Sequence, residues 1–302
     1  MQNTTRGFLC ALLATAVWSG NFILSRAVAQ EIPPIQLNFW RWFLALVCLL
    51  PFAWRSLCAD WKAARRHLPY LTGMAVLGVA LLNPLVYKAG QTTESLNMAL
   101  LVPTAPMMIM IFARIIYGEP ITRRRLAGLL VVLTGVLFVI SRGEWARLAA
   151  VHFTPGDFWA LSGAAAFGAY SLFMRSRPAD ISAAGFNVLT FALGLIASLP
   201  FVAAEMIMLP PPTMSPAVWI GIAYSGIGCS TLAYWLWTVS VDDIGPVRAG
   251  FVYYTLPLFA AVQSVLLLGE TVLWSHAAGG LCIIGGIVLA TFPRKEPLAA
   301  SS

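Results

Sequence analysis

Long apolar runs, separated by short polar or proline-rich joints, fill this chain almost from end to end. A helix needs about 20 mostly apolar residues to cross the hydrocarbon core of a bilayer. Ten windows meet that length, at about 7–29, 34–54, 69–89, 95–117, 124–141, 157–176, 183–204, 216–238, 245–268 and 272–292. The joints carry turn residues, among them Pro33-Pro34, Arg177-Pro178, Pro210-Pro211-Pro212 and Gly245-Pro246. The pattern predicts an all-α membrane protein with ten transmembrane helices, forming one transmembrane domain over residues 1–302. The first run ends in Ala27-Val28-Ala29, which resembles a signal-peptidase site. Its length, and Asn21 and Arg26 within it, predict a retained helix instead.

The apolar pattern repeats. Thr104, Pro106, Gly118, Glu119, Ala127, Gly128, Leu130 and Gly135 recur at a constant offset of 151 as Thr255, Pro257, Gly269, Glu270, Ala278, Gly279, Leu281 and Gly286. At an offset of 149, Leu12, Ala16, Arg26, Asn38, Pro51 and Phe52 recur as Leu161, Ala165, Arg175, Asn187, Pro200 and Phe201. Repeat 1 therefore covers about 7–141 and repeat 2 about 157–292. Five spans per copy is an odd number, so the second copy must enter the membrane from the opposite side. Such inverted repeats are an architectural signature of secondary transporters, with the substrate site near the midplane between the copies.

Composition agrees with a lipid solvent: 59% of the 302 residues are hydrophobic and 10% are charged, whereas soluble domains carry about 25% charged residues. The net charge of +7 then reports topology, not nucleic-acid binding, because the aromatics lie in the apolar runs. With the N-terminus in the cytoplasm, 14 of the 19 basic residues fall on the inner side. Only Arg26, Arg41, Lys88, Arg142 and Arg147 fall on the other, which predicts both termini inside. Residues 56–67 read as a short helix lying on the inner leaflet. The five cysteines and three histidines show no metal spacing, so no metal or other cofactor is expected. No nucleophile, base or paired-carboxylate arrangement of an enzyme is visible.

Trp18-Ser19-Gly20-Asn21-Phe22, Arg41, Pro106 and Gly118-Glu119, with the later copies of the last two, resemble the EamA family of the drug/metabolite transporter superfamily. The resemblance spans the whole chain and is strongest in character to YddG-type bacterial exporters of aromatic and other neutral amino acids. It implies an inner-membrane carrier in a bacterium, with a central cavity lined mainly by spans 1, 3, 4, 6, 8 and 9. The second half departs from the pattern: Phe167-Gly168-Ala169-Tyr170-Ser171 stands where the first half has its Trp/Asn motif, and Thr190 stands where Arg41 would map.

Polar side chains inside apolar spans are costly unless they face protein or water. On that ground the candidate substrate-binding residues are Trp18, Asn21, Asn83, Tyr87, Thr104, Tyr170, Ser230, Tyr234 and Tyr254. The pairs Asn83/Tyr87 and Ser230/Tyr234 have the same i,i+4 spacing and align at an offset of 147. Arg26, Arg41 and Lys88 admit two readings: snorkelling or bonding to carbonyls, and attraction of a substrate carboxylate. Pro84, Pro103, Pro106 and Pro257 predict kinks. Ala164/Gly168, Gly194/Ser198 and Gly286/Ala290 predict close helix packing. Glu119 and Glu270 lie in turns, as caps for the following helices.

The expected function is export of small neutral amino acids, aromatic or apolar, or related metabolites by alternating access. The alternative is a polyspecific drug/metabolite exporter, possibly proton-coupled. No carboxylate lies in mid-span, which points away from an obligatory coupling ion. The expected partners are a small-molecule substrate and the lipid bilayer, with no nucleic acid and no obligatory protein partner.

Overall fold

A computed structural model of the chain describes residues 3–28, 31–93, 95–149, 152–268 and 273–291. The described residues form helices and no strands: α1 (Thr4–Ala27), α2 (Pro34–Arg66), α3 (Leu68–Thr92), α4 (Asn97–Tyr117), α5 (Arg123–Ile140), α6 (Pro155–Met174), α7 (Ala183–Met208), α8 (Pro216–Ile244), α9 (Pro246–Tyr253), α10 (Leu256–Leu268) and α11 (Trp274–Thr291), with a short turn of helix at Trp145–Ala149. Six of them, α2, α3, α4, α7, α8 and α11, are long and apolar enough to cross a membrane.

Helix starts follow the local chemistry. Pro34, Pro155, Pro216 and Pro246 open helices where their missing N–H costs nothing. Thr122, Ser182 and Ser215 accept from the backbone N–H three residues on and so cap α5, α7 and α8. Gly118, at φ 67°, closes α4 in the left-handed conformation.

The predicted kinks take definite forms. Pro84 cannot donate to Ala80, and the turn before it widens to a π segment at Val76–Leu81 inside α3. A second π segment, Tyr224–Leu232, sits in α8, where the Thr231 hydroxyl donates to the Gly226 carbonyl at 3.0 Å. Pro106 follows a tight 3₁₀ turn at Val102–Thr104 within α4, and Pro257 follows the break at Tyr254 and Thr255 that divides α9 from α10. Pro51 and Pro200 lie inside α2 and α7. Each irregularity thus has a partner in the other half of the chain.

The segment expected to lie on the inner leaflet is instead the continuation of α2, a single helix of 33 residues. At a rise of about 1.5 Å per residue it is about 50 Å long, more than the hydrocarbon core. Its far end is anchored: Asp60 accepts from the Ser182 backbone N–H at 2.9 Å and the Ser182 hydroxyl at 2.6 Å at the start of α7. Reciprocally, Glu205 near the end of α7 accepts from Ile35 and Gln36 at the start of α2, at 3.3 and 2.8 Å. The two helices therefore run antiparallel and cap one another.

The same reciprocity holds α5 against α11. A Cβ on Gly128 would meet the Gly286 carbonyl at 2.7 Å, and one on Gly286 the Gly128 carbonyl at 2.7 Å. Gly135 and Gly279 stand in the same relation, at 2.7 and 2.8 Å. Bare backbones in contact are the usual way to gain dispersion energy between helices when lipid offers no hydrophobic drive. Glu270 lies outside the described residues. Glu119 does not cap α5; it pairs with Arg175, and with Arg125 at 3.6 Å.

Replacing Gly286 by Ala should lower the unfolding temperature in detergent, because overpacking costs about 1–3 kcal/mol. Gly285, whose Cβ would meet nothing within 4 Å, should tolerate Ala with no loss or a small gain, since Ala is the better helix former. Equal unfolding temperatures for the two variants would refute the close crossing.

Candidate functional site

A cavity of about 750 Å³ lies between the helices. Its wall includes Trp18 and Asn21 of α1, Pro34 and Arg41 of α2, Asn83 and Tyr87 of α3, Pro103 in the break of α4, Phe167 of α6, Tyr234 of α8, Tyr253 of α9 and His276 of α11. These belong to the second half of α1, the first turns of α2, the end of α3 and the start of α11, so the cavity reaches one end of the helix array. At the opposite end Arg6 pairs with Asp243 (2.7 Å), Arg177 with Asp242 (2.8 Å), and Glu119 with Arg175 and Arg125. These ion pairs tie α1 and α6 to α8, and the turn after α4 to α6 and α5.

The two π segments stand just before the wall residues of α3 and α8 and set where those residues point. Gly226, in the second, lets α8 approach so closely that a Cβ there would sit 2.9 Å from the Arg41 carbonyl. Ser230, one turn on, accepts from Arg41 Nε at 2.9 Å. Asn83, just past the first π segment, accepts from Arg41 Nη1 at 3.0 Å, and the Tyr87 hydroxyl accepts from the same nitrogen at 2.8 Å. The guanidinium lies 5.4 Å from the ring of Trp42, which is fully buried. Arg41 itself is 1% exposed, and none of its partners among the described residues is a carboxylate.

Trp18 is fixed by its indole, which donates to the Cys229 carbonyl of the second π segment at 2.9 Å. Its ring meets Phe167 at 5.5 Å, Tyr234 at 5.6 Å, Trp237 at 5.3 Å and Tyr253 at 5.9 Å. Tyr234 links this aromatic group to the cation: its ring lies 4.8 Å from Trp42 and its hydroxyl donates to the Gly78 carbonyl at 2.9 Å.

Of the nine residues singled out from the sequence, Trp18, Asn21, Asn83, Tyr87 and Tyr234 line this cavity. Ser230 stands behind Arg41 and is fully buried. Tyr170 packs on Gly78, where a Cβ would come within 2.5 Å of its ring. Tyr254 belongs to a second core around α4, α5 and α11, and the Thr104 hydroxyl donates to the Leu101 carbonyl at 2.6 Å. Ser230 lies inside the second π segment, Thr104 in the 3₁₀ turn of α4 and Tyr254 at the α9–α10 break, where the helical register changes, whereas Tyr170 on the unbroken α6 is turned toward α3. Lys88 is exposed, and the Arg26 side chain falls outside the described residues. Helices α2, α5 and α11 also line the cavity, beyond the spans implied by the family resemblance. Arg41, Phe167 and Tyr253 also line the cavity, outside the nine. The repeat held a signal for Arg41: three of the four residues in the two i,i+4 pairs that align between the halves accept from it.

No Asp or Glu of the described residues lines the cavity. The buried carboxylates sit at helix ends. Asp60 and Glu205 cap partner helices, Asp243 pairs with Arg6, and Asp157 accepts from Asn97, Thr93 and the Thr154 backbone. Ser230→Ala should cost about 1–3 kcal/mol by leaving a buried charged donor without its acceptor. Tyr254→Phe should cost less, since among the described residues its hydroxyl makes no hydrogen bond of normal geometry and faces only the Met107 backbone. Chemical or thermal unfolding of the two variants checks this; the reverse order would overturn the assignment of Ser230 as the acceptor.

Comparison with known proteins gives the architecture its place. The EamA-like transporter family matches residues 5–141 and again residues 154–292, once for each half of the duplication. An uncharacterized transporter of Archaeoglobus fulgidus is 26% identical over 296 residues, covering 95% of this chain and 98% of that protein. A probable amino-acid metabolite efflux pump of Salmonella typhimurium is 24% identical over 298 residues, covering 95% and 94%. A solved crystal structure has the same fold, with a TM-score of 0.76 at 18% identity over 96% of this chain and 97% of the other. With the family matched in both halves, this membrane protein belongs to the EamA-like transporter family.

Proposed function

We propose that the protein is a carrier that exports small neutral amino acids, aromatic or apolar, or closely related metabolites across the inner membrane by alternating access. The observation that carries this reading is the cavity. Its volume of about 750 Å³ is in the range of small-molecule sites, roughly 300–1,000 Å³. Its wall is mostly apolar and aromatic, with a few convergent polar groups at Asn21, Arg41, Asn83 and Tyr87. The end of the helix array opposite the cavity is tied by ion pairs, the form expected of one of the two access states. The name of the Salmonella relative points to the same substrate class.

In this reading the chain crosses the membrane ten times, α9 and α10 together forming one span, as two inverted five-span halves. The reciprocal capping of α2 with α7 and the reciprocal glycine contacts of α5 with α11 support it, because antiparallel packing of repeat-related helices is what an inverted twofold requires. Both termini then lie in the cytoplasm, and the ion-paired end is the inner one. Substrate contacts are assigned to Trp18, Asn21, Asn83, Tyr87 and Tyr234. With no carboxylate of the described residues on the cavity wall, transport follows the substrate gradient without an obligatory coupling ion.

Counterflow in proteoliposomes tests this. Unlabelled phenylalanine inside should accelerate uptake of labelled phenylalanine with no ion gradient present. Uptake only of amphipathic drugs, and only under a proton gradient, would overturn the reading.

A further inference from the structure

We propose that Arg41 is a carboxylate-binding subsite of the cavity, so that the transported molecules are monocarboxylates with an apolar or aromatic body. The inference rests on the carrier reading and deepens it. A guanidinium stays charged, and a charge taken out of water is costly unless an opposite charge compensates it. Arg41 is almost fully buried, yet its three partners, Ser230, Asn83 and Tyr87, are neutral. Those bonds occupy Nε and Nη1; among the described residues Nη2 makes none. Because Arg41 lines the cavity, an anion entering it can supply the missing countercharge.

The fold itself does not require a cation at this place. The repeat-related position in α7 is Thr190, fully buried and satisfied by the Phe186 and Asn187 carbonyls at 2.8 and 3.1 Å. A helix of the same role therefore packs with a small hydroxyl residue. The charge is an addition to one half only, and it stands on the cavity.

Its surroundings select what kind of anion fits. Ser230 holds the guanidinium at Nε, Asn83 and Tyr87 hold it at Nη1, and the Trp42 ring lies 5.4 Å away. Tyr234 then leads from Trp42 to Trp18, and the Trp18, Phe167 and Tyr253 rings, 5.2–5.9 Å apart, offer an aromatic surface to the rest of the molecule. One buried cation neutralises one carboxylate; the other arginine of the wall, Arg142, is exposed beyond the end of α5. A phosphate ester, with up to two charges and three acceptor oxygens, calls for clustered Arg and Lys, and among the described residues of the wall no Lys and no second buried Arg stands with Arg41.

The test uses three ligands of one shape on the purified full-length chain: phenylalanine, 3-phenylpropionate without the amine, and 2-phenylethylamine without the carboxylate. Binding is read by ligand-induced thermal shift and by quenching of tryptophan fluorescence. Phenylalanine and 3-phenylpropionate should bind, and 2-phenylethylamine should bind at least about tenfold more weakly, the scale of one charge-assisted hydrogen bond. Asn83→Asp sets a carboxylate against Nη1. It should leave the unliganded protein as stable as wild type or more so, and weaken 3-phenylpropionate by tenfold or more. Equal binding of 2-phenylethylamine, or undiminished 3-phenylpropionate binding by a folded Asn83→Asp protein, would overturn the subsite. Counterflow of the same ligands separates the two readings. Exchange of 2-phenylethylamine as fast as phenylalanine rejects the subsite and keeps the carrier, whereas exchange of none of the three rejects the carrier.

Discussion

A guanidinium held in an apolar interior without a carboxylate beside it sets the terms for everything around the cavity. Burying that charge is unfavourable by several kcal/mol unless hydrogen bonds and an opposite charge compensate it. The fold supplies the hydrogen bonds from two other helices at once. Ser230 comes from α8, and Asn83 and Tyr87 from α3, while α2 carries the arginine. None of these residues reaches Arg41 by local structure alone. Their convergence requires α8 to press on α2 at Gly226 and α3 to present Asn83 just past its own widened turn.

The widened turns are where local backbone chemistry becomes site geometry. A π segment rotates the residues that follow it relative to a continuous α-helix and leaves carbonyls free for other donors. Trp18 uses one such carbonyl, at Cys229, and Tyr234 uses another, at Gly78. The aromatic wall is thus fixed by backbone groups that an unbroken helix would have kept for itself. In α3 the cause is Pro84; in α8 it is a stretch with Gly226 and Gly228 and the Thr231 hydroxyl. The two halves reach the same distortion by different residues.

Reciprocity organises the rest. Asp60 caps α7 while Glu205 caps α2, and Gly128 meets Gly286 while Gly135 meets Gly279. In each case a residue near one end of a helix contacts the opposite end of its repeat-related partner. These contacts hold Asp60 and Glu205 at helix ends, away from the cavity wall. The departures from symmetry fall at the cavity: arginine against threonine at the equivalent positions of α2 and α7, and a tryptophan–asparagine pair in α1 against Phe167 and Tyr170 in α6. A duplicated frame with an unsymmetrical lining can hold a molecule whose own two ends differ.

Apolar runs, turn residues and the repeat were enough to establish an all-helical membrane protein, the duplication, the positions of its kinks and five residues of the cavity wall. They are legible in one dimension because lipid forces the backbone to satisfy itself within each helix, and because a duplication leaves its register in the sequence. The tertiary structure decided the remainder. It extended α2 through the segment expected at the membrane surface, drew Glu119 into ion pairs instead of a cap, and set Thr104, Tyr170, Ser230 and Tyr254 off the cavity wall. It also gathered Ser230, Asn83 and Tyr87 around Arg41 on the cavity wall. The reason is common to all of these: which face of a helix meets a cavity depends on how neighbouring helices cross and on the rotation introduced at each π segment and break. Those quantities arise from contacts between residues up to about two hundred positions apart, such as Arg41 with Ser230 and Trp18 with Cys229, and no spacing along the chain encodes them.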